Sequence, residues 1–450
     1  MSTISTWFQV ERHGSTVRAE VVGGLTTFMT MAYILFVNPS ILGDEALGEQ
    51  ALAFPAVLTV TALVSAIATI AMGLAARYPF AVAPGMGLNA FVAFTLVLGM
   101  GLTMPEAMGV VLVSGVVLTV LVLTGFREAV LHAIPMPLKR AIGVGIGLFI
   151  AVIGLDNGGL ITAGEGTLLD LGDLTSPTVV LFVGALILAF TLVARAVKGA
   201  LLIAILVATG VAIAVNELAF DGGLWEAPGI GEVPEQVIGM PDFSLVGAFS
   251  LDFVTTLGVV AAMIAVFSVL LSDFFDTVGT AIGLGAEGGF LTEDGKLPRM
   301  RELLTVDGAA AALGGALSTS SCTTYIESGA GVAEGARTGL ASVVTGVLFL
   351  AAMFLSPLAG VIPPEATATA LVVVGFLMIQ GIRHIDWTQP TDAIPAFLTM
   401  LGMPLTWSIA DGIGLGFVSF VVLKVLTGRT REVPVLMWVS AAAFAIYFTV

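Results

Sequence analysis

Cysteine is almost absent from this chain, with Cys322 the only one in 450 residues. A single thiol excludes an intrachain disulfide and any cysteine-based metal site. Histidine is nearly as rare: His13, His132 and His384 all fall near arginine or lysine at the ends of apolar runs, where a metal ligand is not expected. Charged residues make up only 11% of the chain, against about 25% in a soluble domain. That shortage excludes an ordinary soluble protein. Basic residues are outnumbered, 16 against 32 acidic, for a net charge of −16, which argues against nucleic acid as a partner. The first twenty residues, MSTISTWFQVERHGSTVRAE, lack the apolar core of a signal peptide. The apolar run from Val21 is therefore expected to remain as a membrane span. No GxxxxGK[ST] motif occurs, which argues against an ATP-driven pump.

What the chain has instead is apolar length. Hydrophobic residues reach 57% and mean hydropathy is +1.06. A helical span needs about 20 apolar residues. Such runs lie near 21–38, 54–75, 80–99, 106–126, 140–156, 177–195 and 199–216, and then near 251–279, 303–317, 319–336, 338–356, 367–382, 392–410 and 411–427. The expectation is an all-α polytopic membrane protein of fourteen spans, with a further apolar tail at 433–449 whose placement charge cannot decide.

Charge tests that count. With the N-terminus in the cytoplasm, alternation puts every lysine and arginine, from Arg12 to Arg431, on the cytoplasmic side. The outward loops carry Asp44, Glu45, Glu49, Glu165, Asp170, Asp173, Glu217, Asp221, Glu226, Glu232 and Glu235, with no basic residue. This is the segregation that the positive-inside rule describes, and one miscounted span would destroy it.

The loop at 217–250 divides the spans into seven and seven, so the second half runs in the opposite orientation, the arithmetic of an inverted repeat. The expected organisation is a cytoplasmic N-terminus (1–20), a first repeat (21–216), an extracytoplasmic loop (217–250), a second repeat (251–427) and a basic loop with an apolar segment (428–450). The third span of each half is interrupted, at PFAVAPGMGLNAF (79–91) and STSSCTTYIESGAG (318–331). Each reads as a short extended stretch followed by a half-helix. Broken spans in corresponding positions are the strongest sequence pointer to a transporter's binding site, because non-helical backbone survives at membrane depth only where protein or a cavity receives it.

Carboxylates at that depth mark a substrate or ion path. Asp273 and Asp276 lie three residues apart on one helical face at the end of the eighth span, and Glu327 follows the second break. An ionised carboxylate is an acceptor-only group that takes N–H donors from a ligand. Thr324 and Glu327 also have capping-box spacing, so that glutamate can serve the helix as well as a ligand. Asn89 follows the first break with an amide that both donates and accepts. Phe28, Phe91, Phe274, Phe275 and Tyr325 are flat rings able to stack on a flat ligand. Thr26, Thr27 and Thr30 line the path or back-bond within their helix. Glu334 and Arg337 are expected to pair with each other, and Asp156 and Asn157 to form a solvated cap.

The stretches GGLTTFMTMAYILFVNP (23–39), APGMGLNAF (83–91), LSDFFDTVGT (271–280), TTYIESGAGVAEGARTG (323–339) and GMPLTWSIADGIGLGFVSFVVLK (402–424) resemble the AzgA-like purine permeases of the nucleobase–ascorbate transporter superfamily. The resemblance runs from about Arg12 to Arg431, with Ala336 standing where a glycine is usual and Cys322 unusual in its stretch. It implies a uracil-permease-like fold in which spans 1–4 and 8–11 form a core and spans 5–7 and 12–14 a gate. It also implies import of hypoxanthine, adenine and guanine with protons across the cell membrane. The implied substrate set is Asp273, Glu327, Asn89, Phe28, Phe274, Tyr325 and Thr324, with Asp276, Asp273 and Glu327 as proton-coupling candidates. No cofactor or metal is expected; the partners are the base, protons and the bilayer, and the oligomeric state stays open, a homodimer included. The alternatives are another nucleobase such as uracil or xanthine, an inorganic anion, and, from another class, an intramembrane aspartyl hydrolase. The last needs two acids sharing a proton across facing helices.

Overall fold

The computed structural model describes residues 3–125, 134–164, 166–220, 222–225, 229–234, 236–294 and 296–449, and in these it is mostly helical. Arg127, His132, Glu165, Asp221, Glu226 and Glu235 fall outside the described residues. Among the described residues, ten helices or runs of consecutive helices are long and apolar enough to cross a membrane. This makes the chain a multi-pass membrane protein.

The first apolar run is two helices, α1 (Val17–Met31) and α2 (Ile34–Leu42), broken at Ala32 and Tyr33. Thr16 caps α1 by accepting from the Ala19 N–H at 3.1 Å. Then follow α3 (Phe54–Ala71), strand β1 (Val82–Pro84), α4 (Met86–Ala90, continued by a wider helical winding to Gly99) and α5 (Met104–Leu123). Thr103 and Glu106 close a capping box at the start of α5. Next come α6 (Met136–Asn157), a surface hairpin of β2 (Ile161–Ala163) and β3 (Leu169–Leu171), α7 (Pro177–Ala194) and α8 (Ala200–Ala219).

After the long acidic loop, α9 (Phe253–Glu287) runs 35 residues with a break at Gly258 (φ 75°). It outlasts the apolar run by two turns and stops at Gly288 and Gly289, the latter at φ 67°. The remainder is α10 (Met300–Ala316), β4 (Cys322–Thr324), α11 (Ser328–Ala333), α12 (Gly339–Ala352), α13 (Pro364–Met378), α14 (Pro390–Thr406), α15 (Ile409–Leu426) and α16 (Val435–Tyr447). The α16 helix has 13 residues, about 20 Å at 1.5 Å per residue, against a hydrocarbon thickness of about 30 Å. It packs on α15 through Phe417 and Phe444, whose rings meet edge to face at 5.8 Å.

Both interrupted spans contain a strand followed by a helix, and the strands pair with each other. β1 and β4 are antiparallel, with Val82 opposite Thr324, Ala83 opposite Thr323 and Pro84 opposite Cys322. The adjoining groups are paired too. Tyr325 N–H donates to Ala81 O and Gly85 N–H to Ser321 O, each at 2.9 Å. The Thr69 hydroxyl accepts from Val82 N–H, and Ser328 Oγ accepts from Ala81 N–H, again at 2.9 Å. Two broken helices thus satisfy, in each other and in side chains, the backbone groups that lipid cannot.

Helix contacts rely on small residues, as expected where lipid removes the hydrophobic driving force between helices. A Cβ at Gly115 of α5 would lie 2.2 Å from Ala312 N of α10, and one at Gly375 of α13 would lie 2.4 Å from Gly147 O of α6. Several of the described basic loops gather at one end of the molecule. There Arg77 lies over Trp7 at 5.3 Å, Tyr78 donates to Pro298 O, Lys198 pairs with Glu334, and Arg301 donates to Leu123 O at 2.9 Å. The expected pairing of Glu334 with Arg337 is not made. Lys198 takes the glutamate, while the Arg337 guanidinium donates to Val332 O and Ala336 O at 2.6 and 2.7 Å and its backbone N–H to Glu20 at 2.8 Å. At the other end Asn157 donates to Asp44 at 2.9 Å, and Trp225 to Glu365 at 3.2 Å.

Candidate functional site

A cavity of about 720 Å³ lies between the paired broken segments and α9 on one side and α6 and α13 on the other. That is within the usual range for a small-molecule site. Gly85 to Leu88 reach it from the first break, and Thr323 to Glu327 from the second. Ser272, Phe275, Asp276, Gly279, Thr280 and Gly283 form a stripe along α9, and Lys139, Ile142, Gly143 and Ile146 one along α6. Gln380, Gly381, Arg383 and His384 stand at its mouth, beside the basic end of the molecule.

Two carboxylates face this space. Asp276 is exposed to it and accepts from Thr323 Oγ1 at 3.2 Å. Glu327 accepts from the Tyr33 hydroxyl at 2.5 Å, and its backbone carbonyl accepts from Thr30 Oγ1 at 3.3 Å. The capping box expected at Thr324 and Glu327 is not formed. Thr324 is in the strand, the helix begins only at Ser328, and Glu327 makes no side-chain cap. The Glu327 side chain is thereby left for Tyr33 and the cavity. Tyr325 also lines the space, and its hydroxyl donates to Pro84 O, tying the two breaks together. Phe275 presents a ring to the cavity with Lys139 Nζ 4.9 Å from its centroid.

Other expected site residues lie elsewhere. Asp273 is 1% exposed and does not line the cavity; it accepts from Ser321 Oγ at 3.2 Å. Three residues leave a net offset of about 60° around the helix, and that offset turns Asp273 to Ser321 at the side of the cavity-facing Asp276. Asn89 is fully buried one residue beyond the lining segment, and neither of its amide atoms has a hydrogen-bond partner. Phe274 is buried edge to face with Phe275 at 5.4 Å. Phe28 packs edge to face on Phe349 of α12 at 5.1 Å, outside the lining. Thr30 also back-bonds to Thr26 O and Thr27 O at 3.0 and 2.9 Å.

Two participants went unread in the sequence. Tyr33 reaches Glu327 because the first span breaks beside it, and no glycine or proline at residues 32–33 advertises that break. Asp307 on α10 is fully buried and accepts from Thr277 Oγ1 at 2.6 Å and Thr324 Oγ1 at 3.0 Å. It was the one acid inside an otherwise apolar, alanine-rich run, which was the available signal.

Comparison with known proteins gives the family. The Permease family (Xan_ur_permease) matches residues 18–449. The chain is 43% identical to the guanine/hypoxanthine permease PbuG of Bacillus subtilis over 451 aligned positions, covering 99% of each chain. It is 41% identical to the adenine permease AdeQ of Escherichia coli, covering 99% of this chain and 96% of the relative. Among solved structures, the transmembrane domain of the cyanobacterial bicarbonate transporter BicA superposes with a TM-score of 0.62 at 15% identity, over 88% of this chain and 97% of that one. That last likeness concerns the fold alone. On the family match and the full-length relatives, this chain belongs to the permease family, a transporter rather than an enzyme.

Proposed function

We propose that the chain is a secondary transporter that imports purine bases with protons. The observation that carries the reading is the pair of carboxylates, on Asp276 and Glu327, that face one cavity where two broken spans meet. Relatives matched along their whole length and named for guanine, hypoxanthine or adenine support the substrate class. A purine offers ring and exocyclic N–H donors along one edge, and acceptor-only carboxylates on α9 and before α11 suit them. Phe275 supplies a face for stacking, and the backbone at Gly85 to Leu88 borders the same space.

The fourteen-span reading adds α10, α14 and the two strand–helix segments to the ten long spans. In it α1 to α5 and α9 to α12 are the core, and α6 to α8 and α13 to α15 the gate. The cavity then lies between core and gate. On the positive-inside orientation Lys139, Arg383 and His384 stand at a cytoplasmic mouth, and we read the cavity as inward-open. Import follows when the gate rocks against the core around the fixed site.

The test is uptake of labelled hypoxanthine into proteoliposomes, with adenine, guanine, xanthine, uracil and bicarbonate as competitors. Competition by purines alone is expected. Competition by uracil but not by purines would reassign the substrate. The proton gradient and sodium are varied independently; uptake that follows sodium and ignores protons would overturn the coupling.

A further inference from the structure

Behind the cavity lies a second group of acids that does not line it. Asp307 is fully buried, and each of its oxygens receives one hydroxyl, from Thr277 at 2.6 Å and Thr324 at 3.0 Å. Asp273, almost as deeply buried, receives only Ser321 at 3.2 Å on Oδ2, and its Oδ1 has no hydrogen-bond partner in the protein. The charged or titratable groups facing Asp273 are Asp307 from α10, Asp276 from its own helix and Cys322 from β4. Lys139 on α6 and Glu327 before α11 face the cavity, while Glu106 on α5 and Asp411 on α15 are engaged by Thr256 and Tyr447. None of the ion pairs among the described residues involves Asp273, Asp276 or Asp307.

Neighbouring carboxylates in a low-dielectric interior, with no cation between them, resist joint ionisation. Hydrogen bonds decide which of them keeps its charge. Two hydroxyl donors stabilise a carboxylate, so Asp307 is the better placed of the two to keep a charge. An oxygen with no donor is the poorest place for charge and the best for a proton, which points to Asp273 Oδ1. We propose that Asp273 and Asp307 form a buried acid pair that holds the coupling proton on Asp273, leaving Asp276 to face the base. This inference rests on the proton-coupled reading above and names the group that the reading leaves open. The pair and the site are joined through adjacent residues: Thr277 follows Asp276, and Thr324 follows Thr323, which donates to Asp276. A proton arriving on or leaving Asp273 thus changes the charge behind the same two backbone segments that hold the base.

The test uses proteoliposomes with a trapped pH dye, and reads gradient-driven accumulation of labelled hypoxanthine, base–base exchange and proton influx. For wild type, influx accompanies uptake. For Asp273→Asn, accumulation and coupled influx are expected to fall at least tenfold while exchange stays measurable. Asp276→Asn is expected to lose exchange and accumulation together. Asp307→Asn should uncouple as Asp273→Asn does, and the double variant should be no worse than either, because the pair acts as one unit. Wild-type influx in Asp273→Asn, or single effects that multiply in the double variant, would overturn the assignment. If either asparagine variant fails to fold, Thr277→Val decides: it should lower accumulation several-fold with exchange intact, and unchanged accumulation sinks the pair. Wild-type uptake with no proton influx would instead sink the coupling reading itself, and this inference with it.

Discussion

The Tyr33 hydroxyl and the Glu327 carboxylate meet at 2.5 Å across the break between α1 and α2. Tyr33 is fully buried and both residues border the cavity, so the tyrosine fixes which way the carboxylate points. A hydrogen bond to a charged group contributes about 1.5–3 kcal/mol, and 1.4 kcal/mol is about tenfold in affinity. Tyr33→Phe should therefore weaken hypoxanthine binding by about tenfold while leaving the amount of folded protein unchanged. A binding titration on detergent-purified protein checks this, and wild-type affinity would show that Glu327 needs no such support.

The cavity sorts the candidate residues into two groups that a binding assay can separate. Asp276→Asn and Glu327→Gln keep shape and remove charge, so each should weaken base binding by about 1.5–3 kcal/mol. Phe28→Leu alters a ring held on Phe349, away from the cavity, and should leave affinity within about threefold. A large loss for Phe28→Leu with none for Asp276→Asn would place the base elsewhere.

These groupings show what could be read in the chain and what could not. The interrupted spans were legible because glycine, proline and serine at 79–91 and 318–331 contradict an otherwise continuous apolar pattern, and both segments contain strand. Their mutual pairing was not legible, since nothing local to Val82 names Thr324 as a partner. Glu327 was ambiguous because capping-box spacing is a local signal, while the strand that displaces the helix start is set by β1, some 240 residues away. The division of labour between Asp273 and Asp276 was hidden for a related reason. Helical spacing puts both on one side of α9, but only the position of α10 and β4 decides where that side is divided. Asp307 and Tyr33 depend wholly on such long-range contacts.

Topology gives a prediction independent of any ligand. If the fourteen-span alternation holds, all 16 basic residues lie on one side, and a reporter inserted after Gly222 should lie outside the cell and one at Lys296 inside. Alkaline phosphatase and fluorescent-protein fusions report the two sides directly. Both reporters on the same side would remove the seven-plus-seven count.

The side from which the cavity opens can be tested with one engineered thiol. Cys322 is fully buried in the strand pair, so the native chain offers a nearly silent background to thiol reagents. Gly279 lines the cavity on α9, and a Cβ built there meets no atom within 4 Å, so Gly279→Cys fits without displacing a neighbour. Replacing a helical glycine also removes backbone freedom from the unfolded chain, so folding should not suffer. If Lys139, Arg383 and His384 stand at a cytoplasmic mouth, a membrane-impermeant maleimide should label the variant in inside-out vesicles much faster than in intact cells. Saturating hypoxanthine should slow that labelling, because Asp276 lies less than one helical turn away on the same lining. Faster labelling from outside would reverse the orientation of the cavity. Labelling from inside that no purine slows would leave the opening correct but separate Gly279 from the base.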